Sequence, residues 1–134
     1  MEDTQDLSAC VTKVRENVLQ WEDRLQSEHG GPEEFRQAVA ELRAALDTLG
    51  RVGFQRLAQA CEVAGDILED GGRWYRFKQV VDKRWLTLWG TVVVPRRVYQ
   101  EDHGGPSRLP VDERCGMVKR FMVPELERMT AFLG

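Results

Sequence analysis

Arg84-Trp-Leu-Thr-Leu-Trp-Gly-Thr-Val-Val-Val-Pro-Arg-Arg-Val-Tyr99 is built almost wholly from aromatic and β-branched residues. Such side chains pack on a pleated surface, and their period here is two. Trp85, Thr87 and Trp89 fall on one face, with Leu86 and Leu88 on the other. Gly90 permits a turn or bulge. Pro95 cannot donate to a ladder, so the strand holding it belongs at an edge or carries a bulge. Upstream, Arg73-Trp-Tyr-Arg-Phe77 and Val80-Val81 continue the same material. We read Arg73–Val81, Arg84–Trp89 and Thr91–Gln100 as two or three short antiparallel strands, a small β-hairpin or meander.

Toward the N-terminus the period changes to that of a helix. Leu7, Val11, Val14, Val18, Trp21 and Leu25 repeat at spacings of four and three, with Thr4 or Asp6 as the cap and Gly30-Gly31 as the stop. Pro32 opens a second segment, where Glu33 and Glu34 suit the N-terminal dipole. Its stripe is Phe35, Val39, Leu42, Leu46 and Leu49. Gly50 and Gly53 suggest a break. A third stretch then carries Phe54, Leu57, Cys61, Ala64 and Leu68, and Asp70-Gly71-Gly72 stops it. Three amphipathic segments with short connections predict antiparallel helices in the first part of the chain.

Beyond the strands, Glu101–Pro110 is rich in Gly and Pro and reads as an exposed loop. Pro110-Val-Asp-Glu113 reads as a helix start, and a last helix begins near Val123-Pro124. The expected class is α+β. Residues 1–71 form a helical hairpin or short coiled coil. Residues 72–134 form a basic β-hairpin unit with the loop at 101–110 and a C-terminal helix.

The net charge of −3 conceals an asymmetry, −8 over residues 1–72, +6 over 73–100 and −1 over 101–134. A polyanion feels the local sign rather than the mean. No apolar run reaches the ~20 residues of a membrane span. The acidic start, Met-Glu-Asp-Thr-Gln-Asp, is unlike a secretory signal, so the expected compartment is the cytoplasm. Cys10, Cys61 and Cys115 lie far apart and outside any CxxC pair. Neither a disulfide framework nor a zinc site follows from that spacing, and Cys10 and Cys61 fall on apolar helical faces.

Catalysis finds no foothold. His29 and His103 each precede a Gly-Gly pair, as loop residues do, and no Ser or Cys is placed for a triad. The acids near strands, Asp82, Glu101 and Asp102, lie at expected turns and do not make a two-metal site. Gly71-Gly72 and Gly104-Gly105 lack the Lys-Ser/Thr of a phosphate loop. No catalytic residue, metal, cofactor or small-molecule substrate is expected.

The chemistry that remains is cationic and aromatic. Arg73, Arg76, Lys78, Lys83, Arg84, Arg96 and Arg97 interleave with Trp74, Tyr75, Phe77, Trp85, Trp89 and Tyr99. Cations neutralise phosphates and planar rings stack on bases. The same pattern also describes a solvated strand face with its aromatics in a core. Alternation sets Arg84 opposite Trp85 and Arg97 on the face of Tyr99. Composition leaves the two readings balanced.

An ordered set of positions resembles a known family. Gly72-Arg-Trp-Tyr-Arg-Phe77, Arg84 through Tyr99, Gly104-Gly105, Leu109-Pro-Val-Asp-Glu113 and Gly116-Met-Val118 are similar, in order and spacing, to a segment of bacterial insertion-sequence transposases of the ISKra type. Leu46-Asp-Thr-Leu-Gly-Arg51 suits the region ahead of it, so the likeness covers roughly residues 35–134. It implies the front part of a DDE-type transposase, truncated before its RNase H-like catalytic region, and the apolar run ending at Gly134 suits a parent sequence that continued. Many relatives carry a cysteine pair after the tyrosine. Here Gln100-Glu-Asp-His-Gly-Gly105 stands in that place, so metal binding is not carried over.

The resemblance tips the balance toward transposon-end DNA as partner. The contacts expected are Arg73, Arg76, Lys78, Lys83, Arg84, Arg96, Arg97 and Tyr99, in a segment that aids DNA transposition without cleaving. The alternatives are a helical oligomerisation or adaptor module, a homo-oligomer through helices 1–71, and an inactive genomic remnant of a transposase.

Overall fold

The computed structural model describes residues 6–27 and 30–133, so Thr4 and His29 lie outside the described residues. The elements in chain order are α1 (Leu7–Gln26), α2 (Pro32–Ala60), β1 (Ile67–Asp70), β2 (Arg73–Thr87), β3 (Gly90–Glu101), β4 (Ser107–Arg108), α3 (Pro110–Cys115) and α4 (Pro124–Leu133). The class is α+β, with two long N-terminal helices, a four-stranded antiparallel sheet in the order β1-β2-β3-β4, and small C-terminal helices. The chain divides into two compact units, Met1–Gly53 and Phe54–Gly134. The division falls inside α2.

In the first unit, Asp6 caps α1 by accepting a hydrogen bond from the Ser8 N–H at 3.2 Å. The Trp21 indole donates to Glu41 at 2.9 Å, tying α1 to α2. The inward positions of α1 are Leu7, Cys10, Val14, Asn17 and Trp21, and those of α2 include Ala38, Leu42, Ala45 and Leu49. The apolar seams are therefore only partly used. Val11, Val18, Phe35, Val39 and Leu46, expected at the contact, are between 42% and 58% exposed. Each helix meets its neighbour along one flank of its stripe rather than along the centre.

The third helical segment is not separate. Gly50 and Gly53 lie inside a continuous α2 of 29 residues. An interior glycine costs only about 1 kcal/mol, and Leu46, Arg51, Gln55 and Leu57 around them are good helix formers. Ile67 and Leu68 instead form β1. Its register, Asp70↔Arg73 through Ile67↔Arg76, leaves Gly71-Gly72 as a two-residue hairpin loop. Both have positive φ, 59° and 82°, as a primed turn demands.

The expected break between Val81 and Arg84 is also absent, and β2 runs 15 residues without interruption. Asp82 and Lys83 sit in the ladder opposite Pro95 and Val94. The bulge lies at Phe77–Gln79, not at Pro95. Pro95 is tolerated for an edge reason. The Val93 carbonyl accepts from Gln55 at 2.7 Å and the Arg97 N–H donates to Glu62 at 2.9 Å. Residues 93, 95 and 97 thus turn their backbone groups away from β2, where a missing N–H breaks no ladder bond. The loop at 101–110 is partly ordered, with a short helical turn at Asp102–Gly104 followed by β4.

The core of the second unit lies on one sheet face. Trp85, Val92 and Val94 pack with Ala58, Val111, Met117 and Val123. Phe54 meets Trp85 edge-on, ring centres 6.2 Å apart. The Arg96 guanidinium lies buried in this face and bonds the Asp112 carboxylate at 2.8 Å. On the other face Phe77 and Tyr99 meet edge-on at 6.0 Å. Arg97 stacks 3.9 Å above the Phe77 ring, and its Nε donates to the Tyr99 hydroxyl at 3.0 Å.

Candidate nucleic-acid interface

The fold distributes the eight expected contact residues into three groups. Arg96 and Tyr99 are buried and serve the fold: Arg96 pairs with Asp112, and the Tyr99 hydroxyl donates to the Gly65 carbonyl at 2.7 Å. Arg97 is half-buried, held by Phe77, Tyr99 and the Gly65 carbonyl. Arg73 and Arg76 are exposed but face acids, Glu101 at 3.2 Å and Asp102 at 2.9 Å. Surface pairs of this kind contribute about 0–1 kcal/mol, so these arginines are neutralised more than immobilised. Lys78, Lys83 and Arg84 form no ion pair with any described residue.

Those last three flank a feature of the backbone. β1 pairs with β2 only at Arg73–Arg76, and the Phe77 N–H adds a bond to the Asp66 carbonyl at 2.8 Å. At the far end the Leu86 N–H donates to the Phe121 carbonyl at 2.7 Å, and the Val123 N–H to the Leu86 carbonyl at 3.0 Å. Leu86 thus turns its backbone groups outward, as do Val80, Asp82 and Arg84 by the period of two. Among the described residues nothing pairs with the outward N–H and C=O groups of those three. β2 has an open edge about five residues long, closed off at both ends.

Charge surrounds this opening. Lys78 lies at the bulge, while Lys83 and Arg84, alternating along the strand, sit on opposite faces of it. The bridge Leu86↔Met122 is parallel, and the chain that reaches it through Phe121 carries Lys119 and Arg120 just upstream. Lys119 is exposed at φ 59°, the one described non-glycine residue in the left-handed region. Arg120 pairs with Glu127, and Asp82 is the acid within the opening. The opening offers N–H donors alternating with C=O acceptors, and the cations Lys78, Lys83 and Arg84 along it supply the charge that an extended anionic ligand would meet.

Lys119 and Arg120 escape a sequence reading because their stretch of chain is nearly neutral and reaches β2 only through the Leu86 bridge. Arg108 shows a similar gathering of distant residues. Its guanidinium bonds Glu113 and Asp70, each at 2.5 Å, and lies 5.4 Å over the Tyr75 ring. The Glu113 and Asp70 carboxylates raise its pKa further against the opposing effect of burial.

Cys61 and Cys115, distant in sequence, are neighbours. Burial first, and then the hydrogen bond with Cys61, push the Cys115 thiol up to about 12. Among the described residues no three His, Cys, Asp or Glu side chains come together as metal ligands. No helix of the described residues is long and apolar enough to cross a membrane. No protein-family model matches the chain, and no curated protein or solved structure is detectably similar to it.

Proposed function

We propose that the second unit is a non-catalytic DNA-contacting module that meets the phosphate backbone along the open edge of β2. Lys78, Lys83, Arg84 and Lys119 carry the contact, with Arg73, Arg76 and Arg120 as exposed cations that can trade an intramolecular acid for a phosphate. The observation that carries this reading is the stretch of β2 at Val80, Asp82 and Arg84 whose outward backbone groups no described residue pairs, with Lys78, Lys83 and Arg84 on the same stretch. Arg96, Arg97 and Tyr99 support the sheet and do not belong to the contact surface. The setting, the front part of a DDE-type transposase acting on transposon ends, rests on the ordered resemblance over residues 35–134.

The test is fluorescence anisotropy of a labelled duplex titrated with the full chain at about 50 mM salt, a condition that favours phosphate contacts. The reading expects binding whose logarithm falls linearly with the logarithm of salt concentration. Absence of affinity at that salt overturns it.

The open ladder groups also favour a second reading, addition of an acidic extended peptide as a further strand. A poly-glutamate peptide that binds where duplex DNA does not selects this reading over the first.

A further inference from the structure

The helical pair of the first unit leaves one apolar side exposed. On α1, Val11 and Val18 stand about 60–100° around the helix from the inward Cys10 and Asn17, at 100° per residue. On α2, Val39 and Leu46 stand about 100° from Ala38 and Ala45 in the same rotational sense. Antiparallel helices wind in opposite senses when viewed from one end. An offset of the same sense on both therefore brings the two exposed stripes to one side of the pair. Val11, Val18, Phe35, Val39 and Leu46 share that side, with Leu42 and Leu49 half-buried at its floor.

We propose that this side is the interface with a second copy of the chain, packed about a twofold axis as a four-helix bundle. A helix in such a bundle touches two neighbours and needs a broad apolar face centred between them, whereas a lone pair uses only a flank. The pattern here has the bundle's width and only the pair's coverage. The seven-residue repeat Val11–Val18 on α1 and the stripe Phe35–Val39–Leu46 on α2 give two-turn spacings that a second copy matches.

Charge favours a copy of the same chain. α1 sets Lys13, Arg15 and Arg24 against Glu16, Glu22 and Asp23, and α2 sets Arg36, Arg43, Arg51 and Arg56 against Glu33, Glu34, Glu41 and Asp47. Both helices are neutral, and the negative balance of residues 1–72 lies outside them. Self-association meets no net repulsion along the helices, and no strongly charged partner is called for. The five exposed side chains present roughly half of the ~800 Å² per partner of a standard interface. The opposite side of the pair offers no equivalent: a cleft of about 710 Å³ is lined there by small or polar residues such as Ala9, Lys13, Ala44 and Thr48.

Sedimentation equilibrium of the full chain over a wide concentration range tests the proposal, which does not depend on DNA binding. The expected result is a dimer whose dissociation constant rises at least about 100-fold in Val18→Glu and Val39→Glu, as for a charge placed at an interface centre. Leu19→Glu, which alters an exposed leucine on the side of α1 opposite α2, leaves it unchanged. If the glutamate variants lose helical circular dichroism, Val18→Ala and Val39→Ala, which raise helix propensity, replace them and weaken the dimer in the same order. A chain that stays monomeric, an assembly of another order, or a dimer indifferent to all four substitutions overturns the proposal.

Discussion

The Arg96 guanidinium meets the Asp112 carboxylate at 2.8 Å, with both side chains under 9% exposed. The pair joins β3 to the first turn of α3, and a second bond from Arg96 reaches the Val81 carbonyl at 3.3 Å. One carboxylate oxygen, Oδ1, is buried and has no hydrogen-bond partner among the described residues. Removing either charge strands the other in a dry environment. Asp112→Ala is expected to cost about 3–5 kcal/mol, read as a lowered urea midpoint. A double change, Arg96→Met with Asp112→Leu, is expected to recover most of that loss, because paired apolar groups of similar size can replace a buried ion pair.

The Tyr99 hydroxyl is the hinge of a smaller network, donating to Gly65 and accepting from Arg97. Tyr99→Phe keeps the ring against Phe77 and deletes both bonds. The expected loss is about 1–3 kcal/mol, with little change in DNA affinity at salt concentrations where the variant is folded. A large fall in affinity without loss of stability would return Tyr99 to the contact surface.

Burial and the bond with Cys61 hold the Cys115 thiol protonated up to about 12. A thiol that binds its proton more tightly when folded stabilises the fold at and below its unfolded pKa, near ~8.5. That stability is lost as pH rises from there toward about 12. Urea midpoints should therefore fall across this window, and less so in Cys115→Ala. Alkylation of Cys115 at pH 8 should run at least about tenfold slower than that of an unstructured cysteine peptide, since the thiolate is the reacting form.

Much of the sheet was legible because its signals are local. The alternation around Trp85 set Arg84 on the face opposite that ring and Arg97 on the face of Tyr99, though not which face is the core. Gly90 lay next to the turn, which Leu88 and Trp89 form although they read as strand, and Pro95 marked a stretch of β3 that is unpaired on its far side. The limits of the elements were less so. Gly50 and Gly53 read as breaks, yet a helix tolerates a glycine at modest cost when its neighbours favour it. Gly71-Gly72 read as a helix stop, yet it closes a hairpin, because a glycine pair serves either end equally. The heptad seams located the apolar stripes but not the direction of contact, which depends on how many neighbours each helix has. For the candidate site, counting cations could not separate Arg96, sequestered by Asp112, from Arg84, left open. That distinction is made by residues far along the chain, as is the arrival of Lys119 and Arg120 beside β2.

The hairpin loop of β1 and β2 makes a separate point about register. Gly71 and Gly72 both occupy the left-handed region. Replacing both with alanine is expected to cost about 1–2 kcal/mol per position and to loosen the Ile67–Arg76 ladder. Faster amide exchange at Arg73 and Tyr75 in the variant than in the parent, with Val92 and Val94 unchanged, is the measurement that checks it.

Whether DNA lies along the open edge of β2 is decided by comparing the salt slopes of two variants. One carries Lys78→Gln, Lys83→Gln and Arg84→Gln; the other carries Arg96→Met with Asp112→Leu, which removes a cation from the sheet without touching the edge. The first is expected to lose affinity at least about tenfold and to flatten the slope by about 2–3 contacts, while the second binds as the parent does. Equal losses in the two, or an unchanged slope in the first, would contradict the claim.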